Sequence, residues 1–267
     1  MTDRLLFKLP AAALVAALAL SACKPGESGP GGLTLPGAPP APPPDPTEAF
    51  LKSPARAEAY TALERNFPED YARIRAELDA MLKGGKSEAE VQARAFELFR
   101  EFTNSHAEQT VQAPDAQLVA LAHKQVALMT VLQQDNVEAC AQITRVKFES
   151  DAGLTPRSRA ALSAVTAAQL EATKAGMAAP NKREGLSGEA VFGSFTEALK
   201  RENVSQAAQE AAFADEADNP PAALVCEGGL GIARAIASMP PDQAAAMQAL
   251  ALAIVLAGKK PSEAGGT

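Results

Sequence analysis

The chain has no tryptophan, two tyrosines and two histidines among 267 residues. A core here must be built from Ala, Leu, Val, Ile and ten phenylalanines. With so little histidine there is no H-E-x-x-H and no histidine pair at i, i+4, the spacing that puts two ligands on one helical face. Basic residues are outnumbered, 25 against 32, for a formal net charge of −7. That balance excludes a nucleic-acid-binding face, which needs an excess of Lys and Arg. It equally excludes a polybasic membrane patch. Period-two alternation is scarce and β-branched residues are scattered, so strands are not expected.

What is present begins with a segmented N-terminus. Arg4 and Lys8 are followed by a nearly unbroken apolar run from Leu9 to Leu20. That run is the length of a signal h-region and too short to span a bilayer, which takes about 20 residues. It ends in Leu20-Ser21-Ala22-Cys23. This resembles the lipobox of bacterial lipoproteins. The resemblance implies a diacylglycerol thioether on Cys23, cleavage before it, and acylation of the new amino group. More than one acyl chain is needed because a single chain anchors only marginally. By the enterobacterial sorting rule, Lys24 in place of Asp implies the periplasmic face of the outer membrane. The expected signal peptide is 1–22. Its removal takes away Asp3, Arg4 and Lys8 and leaves 23 basic and 31 acidic residues, net −8.

Residues 23–46 are expected to be the lipidated cysteine and a flexible linker. Nine of the 23 residues after Cys23 are Pro and five are Gly. Such a segment has too little apolar surface to offset the entropy of ordering. In polyproline II it would reach about 70 Å at most. It is expected to be a spacer rather than a ligand motif.

Residues 47–258 read as one all-α domain, with a disordered tail at 259–267. Proline and glycine punctuate it at helical intervals. Ser53-Pro54 reads as a helix start, as do Pro68, Ser87 with its Ser-x-x-Glu box, Pro114, Asp135 or Asn136 for a helix containing Cys140, Ile143 and Phe148, Thr155-Pro156, Ser187 and Pro220-Pro221. A last helix follows the break at Met239-Pro240. Eight to ten helices joined by short turns predict an irregular bundle or α-solenoid. No internal repeat is found. The helix from Ala244 to Ala257 has 13 apolar residues of 14, which predicts burial on all sides. Gly228, Gly229 and Gly231 are expected to let helices approach closely or to break the helix. They lack the spacing of a phosphate loop.

Few residues offer chemistry. Once Cys23 is lipidated, Cys140 and Cys226 remain. An oxidising compartment and an even count predict a disulfide, with two separately buried thiols as the alternative. A hairpin about Pro114 would bring His106 and His123 level, with Glu108 or Asp115 to complete a zinc set. One surface and one half-buried histidine is the preferred reading. No catalytic residue, metal ligand or cofactor is nominated. The expected function is therefore a membrane-anchored periplasmic lipoprotein whose helical domain binds an envelope protein, as an assembly factor or an immunity-type inhibitor. The alternatives are a cell-wall enzyme with paired carboxylates, and a carrier of a small apolar ligand between helices.

Overall fold

The computed structural model describes residues 45–183, 189–214 and 219–258. Cys23, the linker up to Pro44, Ser187, the Asp215–Asp218 cluster and the tail from residue 259 lie outside the described residues. The fold is all-α, with twelve helices and no strand among the described residues. They are α1 (Pro46–Leu51), α2 (Ala57–Asn66), α3 (Pro68–Lys83), α4 (Glu88–Ser105), α5 (Ala107–Val111) and α6 (Asp115–Asp135). Then follow α7 (Val137–Thr144), α8 (Pro156–Ala178), α9 (Glu189–Arg201), α10 (Gln206–Phe213), α11 (Ala222–Ala237) and α12 (Pro241–Gly258).

Local chemistry sets most boundaries. Ser87 and Glu90 close a reciprocal capping box at the start of α4. Asn136 and Thr155 each accept a first-turn backbone N–H, of Ala139 and Ser158, and so open α7 and α8. Three helices end with a residue at positive φ: Gly85 after α3, Val146 after α7 and Asn203 after α9. In each, the next backbone N–H returns to a carbonyl five residues back, as Lys147 does to Gln142 at 2.8 Å. This is the Schellman arrangement.

Three expectations are corrected. Ser53-Pro54 does not open a helix. Ser53 Oγ donates back to the Phe50 carbonyl at 3.0 Å, and a turn carries the chain to Ala57. Phe148 is not in α7, which stops at Thr144, but in the loop that follows. The last helix is not buried all round. Ala244, Ala245, Met247, Gln248 and Ala249 are buried, but Ile254 is 63 % exposed, because one face of the later turns is left uncovered while Leu252 still packs on the core. The two short helices α1 and α5, and the separation of α10 from α9, raise the number above the eight to ten expected.

Helices α6 and α8 are central. Helix α8 packs on α2, α5 and α6, while α6 also carries α7, α11 and α12. The N-terminal core joins Tyr60, Leu63, Ile74, Leu78, Leu98 and Phe102 to Leu170 of α8. The C-terminal core around α6, α11 and α12 is built largely from alanine and methionine. Cys140 of α7 and Cys226 of α11 are joined by a disulfide, with Cα atoms 5.2 Å apart and a sequence separation of 86. Both are fully buried.

Helix α11 runs unbroken through its glycines, which allow close contact. A Cβ on Gly228 would lie 2.0 Å from the Ala208 carbonyl oxygen of α10, and one on Gly229 would lie 2.0 Å from Thr144 Oγ1 of α7. Gly193 in α9 has open space around it. The same substitution therefore has opposite signs at two helical positions. Gly193→Ala is expected to stabilise the protein by about 1 kcal/mol through helix propensity. Gly228→Ala is expected to destabilise it by about 1–3 kcal/mol through overpacking. Thermal melts of the two variants check both signs. Replacing Cys140 and Cys226 together by Ala should lower stability by about 4–5 kcal/mol on the chain-entropy account. Urea unfolding reads this directly, and a loss below about 1 kcal/mol would show that the crosslink does not constrain the unfolded chain in this way.

Candidate functional site

A cleft of about 220 Å³ opens between α2, α4, α8 and the loop between α7 and α8. Helix α2 contributes Arg56, Ala59 and Tyr60; α4 contributes Gln92, Phe96, Phe99 and Arg100. Helix α8 contributes Arg159, Leu162, Ser163, Thr166 and Gln169, and the loop adds Phe148 and Asp151.

Helices α2 and α8 run side by side in the same direction. Ala59 N donates to Ser163 Oγ at 3.0 Å at one end, and Arg65 pairs with Glu171 further along. The first bond caps α2 from another helix. Arg56 at the N-cap position of α2 has no side-chain bond to that helix, and Ser163 satisfies one of the N–H groups left over. Arg56 is instead turned across the cleft mouth. It donates to Gln92 Oε1 at 2.8 Å and to Ser53 Oγ at 3.1 Å, and its guanidinium lies 4.0 Å above the Phe50 ring. Loss of water on burial lowers its pKa, against the opposing pull of Glu88.

The walls are aromatic. Tyr60 meets Phe99 edge-on at 5.0 Å between centroids, and Phe96 meets Phe148 at 5.5 Å. The loop that brings Phe148 and Asp151 is pinned by Arg159, whose guanidinium donates to the backbone carbonyls of Asp151 and Ala152 at 3.4 and 3.2 Å. At the base of this loop Val146, a β-branched residue, sits at φ 58°. That is a strained conformation for such a residue.

Two polar atoms in this lining have no hydrogen-bond partner among the described residues. Tyr60 Oη is buried on a side chain 4 % exposed, and Asp151 Oδ1 is buried as well. Burial pushes the Tyr60 phenol well above its ordinary pKa, so it remains a neutral hydroxyl able to donate. Tyr60, Arg56, Asp151 and Arg159 form one electrostatic group at this end of the cleft.

The residues singled out from sequence lie elsewhere. Cys140 and Cys226 are bonded to one another in the interior. His106 sits between α4 and α5, stacked on Phe102 at 4.3 Å, with Nδ1 3.0 Å from both the Phe102 carbonyl and Ser105 Oγ. His123 is exposed on α6. Asp115 is engaged with Arg183 and Asn181, which tie the end of α8 to the α5–α6 turn. Among the described residues no three His, Cys, Asp or Glu side chains come together as a metal site. A second groove beside α3, of about 390 Å³, holds two carboxylates, Asp45 and Asp79. Asp45 caps α1 and pairs with Arg75. Hydrogen bonds from Lys83 and Thr47 lower the pKa of Asp79, the opposite of what a general acid needs.

The cleft residues were not found from sequence because they come from four segments with no fixed spacing. The one usable signal was local. Tyr60 is one of only two tyrosines, on a helix whose face is otherwise alanine and leucine.

Comparison with known proteins finds no family model, no curated protein and no solved structure that matches this chain. The fold and site define an all-α domain with one aromatic, arginine-rimmed cleft among the described residues, and function must be argued from that cleft.

The capping box that starts α4 stands two residues before Gln92 and carries its own pH signature. Lys86 and Ser87 bond the Glu90 carboxylate and hold its pKa at about 2. A depressed carboxylate pKa stabilises above the unfolded value, about 4.3, and that stability is lost as pH falls toward 2. The melting temperatures of wild type and Glu90→Ala should differ by a constant amount above pH 5 and converge between pH 4 and 2. A gap that stays constant down to pH 2 would show that the carboxylate charge plays no part in the cap.

Proposed function

We propose that this protein is a lipid-anchored binding module of the bacterial envelope, whose cleft between α2, α4 and α8 takes a small amphipathic ligand. Cys23 holds the membrane at the periplasmic face of the outer membrane, and the Pro/Gly segment is the spacer. The observation that carries the reading is the pairing of an aromatic cavity with buried, unpartnered Tyr60 Oη and Asp151 Oδ1. Ligand sites are mostly apolar with a few convergent polar groups, and a buried polar atom left unpaired costs about 1–3 kcal/mol. A ligand that pairs both atoms recovers that cost. Among the described residues no helix is long and apolar enough to cross a membrane.

A second reading, docking of an envelope protein, is supported by large apolar side chains left exposed in the C-terminal half. Phe213 is 71 % exposed, and Phe192 and Ile254 are exposed too. The paired-carboxylate enzyme finds less support, because the aromatic cleft holds a single acid, Asp151, and the two acids of the α3 groove are engaged by Arg75, Thr47 and Lys83.

The test is to purify the protein from membranes, denature it and identify released small molecules by mass spectrometry. A cleft-filling variant, Thr166→Phe, serves as control. A compound released stoichiometrically by wild type and absent from Thr166→Phe supports the cleft reading. Equal recovery from both, or a photocrosslinker at Phe213 capturing one envelope protein while the cleft yields nothing, moves the function to the C-terminal face.

A further inference from the structure

We propose that the ligand of this cleft is an apolar α-amino acid bound as its zwitterion. Asp151 takes the ammonium, the Tyr60 hydroxyl and the arginines at the polar end take the carboxylate, and Phe96, Phe99 and Phe148 take the side chain. This rests on the cleft reading above and adds the class of ligand.

Three observations converge. The first is the hydrogen-bond inventory. A carboxylate oxygen only accepts, so Asp151 Oδ1 requires a donor from the ligand. The Tyr60 hydroxyl can donate or accept, so it can pair with either group of the ligand. The inventory therefore demands a donor for Asp151 and leaves Tyr60 able to take an acceptor beside it.

The second is charge. Arg56, Arg100 and Arg159 line the cleft against one carboxylate. The positive excess selects an anion, and guanidinium groups are matched to carboxylates. A simple alkylammonium ligand would use Asp151 and the aromatic rings but would face three arginines. A fatty acid would use the arginines but would leave Asp151 Oδ1 buried and unpaired. A zwitterion satisfies both requirements.

The third is size. A cavity of about 150 Å³ holds benzene, so one of about 220 Å³ takes a body of roughly nine non-hydrogen atoms. That is the size of leucine; phenylalanine, with twelve, is larger than the site. The edge-on pairs Tyr60–Phe99 and Phe96–Phe148 form the apolar walls such a side chain would touch.

The test is calorimetric titration of the full chain in detergent with five probes: L-leucine, L-phenylalanine, N-acetyl-L-leucine, L-leucinamide and octanoate. Leucine is expected to bind and phenylalanine to bind more weakly, with the acetylated and amidated forms of leucine each about 10- to 100-fold weaker than leucine, the loss expected for a charged hydrogen bond. The isosteric variant Asp151→Asn should weaken leucine by the same factor and leave N-acetyl-leucine unchanged. Tyr60→Phe should weaken both. Binding of leucinamide as tight as leucine would identify a peptide N-terminus instead, and equal binding of N-acetyl-leucine a peptide C-terminus. Either result overturns the zwitterion. Tight octanoate without leucine, or wild-type leucine affinity in Asp151→Asn, also overturns it while the cleft remains a binding site. If none of the probes binds, the amino-acid assignment falls, and the extraction experiment above decides whether the cleft reading falls with it.

Discussion

Helix α8 can lie against α2, α5 and α6 because its contacts are made by small side chains. Its sequence is rich in Ala, Ser, Thr and Gly, and the close approaches fall on those residues. A Cβ on Gly176 would stand 1.9 Å from the Gln109 carbonyl oxygen of α5. Nearby, the Thr173 and Thr110 hydroxyls meet at 2.7 Å, fully buried. Ser163 reaches the backbone of α2. A chain without tryptophan and with few aromatic rings has little bulk with which to fill wide gaps between helices. It is held together instead by bringing backbones near, where dispersion contacts are dense and small hydroxyls satisfy neighbouring polar groups. The glycines of α11 serve the same end against α7 and α10, and the disulfide crosslinks α7 to α11 beside them.

The cleft follows from this arrangement. Helix α2 is held tightly to α8 through Ser163, but α4 faces both across large rings. Where Tyr60, Phe96, Phe99 and Phe148 meet, the helices stand apart and the space between them is lined rather than filled. Arg56 spans the mouth by reaching from α2 to Gln92 of α4. Arg159 holds the loop that closes the third side. Both arginines donate to neutral acceptors on the protein, Gln92, Ser53 and two backbone carbonyls, and Arg56 also pairs with the exposed Glu88 at 3.7 Å. The three arginines of the lining outnumber its one carboxylate, Asp151, so the cleft keeps a positive excess.

Local chemistry in the sequence foretold many of the helix boundaries, because caps and breakers act within a few residues. Pro68, Ser87, Asn136 and Thr155-Pro156 mark starts that stand where expected. The failures are equally physical. Ser53-Pro54 has the form of a helix start, yet Ser53 bonds backwards to Phe50, and the N-terminus of α2 takes its cap from Ser163, 104 residues away. A tertiary cap leaves no local trace. The apolar run of α12 predicted burial all round, but composition cannot say which faces the neighbouring helices cover, and Ile254 is left exposed. The site was hidden for the same reason as the cap. Arg56, Gln92, Asp151 and Arg159 acquire meaning only when α2, α4 and α8 are brought together. Taken singly on the sequence, each passes for a solvated helix or loop residue.

Tyr60 is the residue where stability and binding part company. At its position the chain is nearly sealed from water, and Phe would keep the edge-on contact with Phe99 without burying a hydroxyl. A buried hydroxyl with no partner lowers stability by about 1–3 kcal/mol relative to one that is paired. That is a large share of the 5–15 kcal/mol that holds a typical domain together. The same region holds a second unpartnered atom, Asp151 Oδ1, and a β-branched residue, Val146, in the left-handed region at the base of its loop. Three unfavourable features thus fall within one loop and its facing helix, beside a further unpartnered atom, Asn66 Nδ2, at the far end of α2. The three are accounted for if the folded domain is completed by a group that it binds: the donor, the acceptor and the apolar body then arrive together, and what is locally strained in the free protein becomes the preorganised side of an interface.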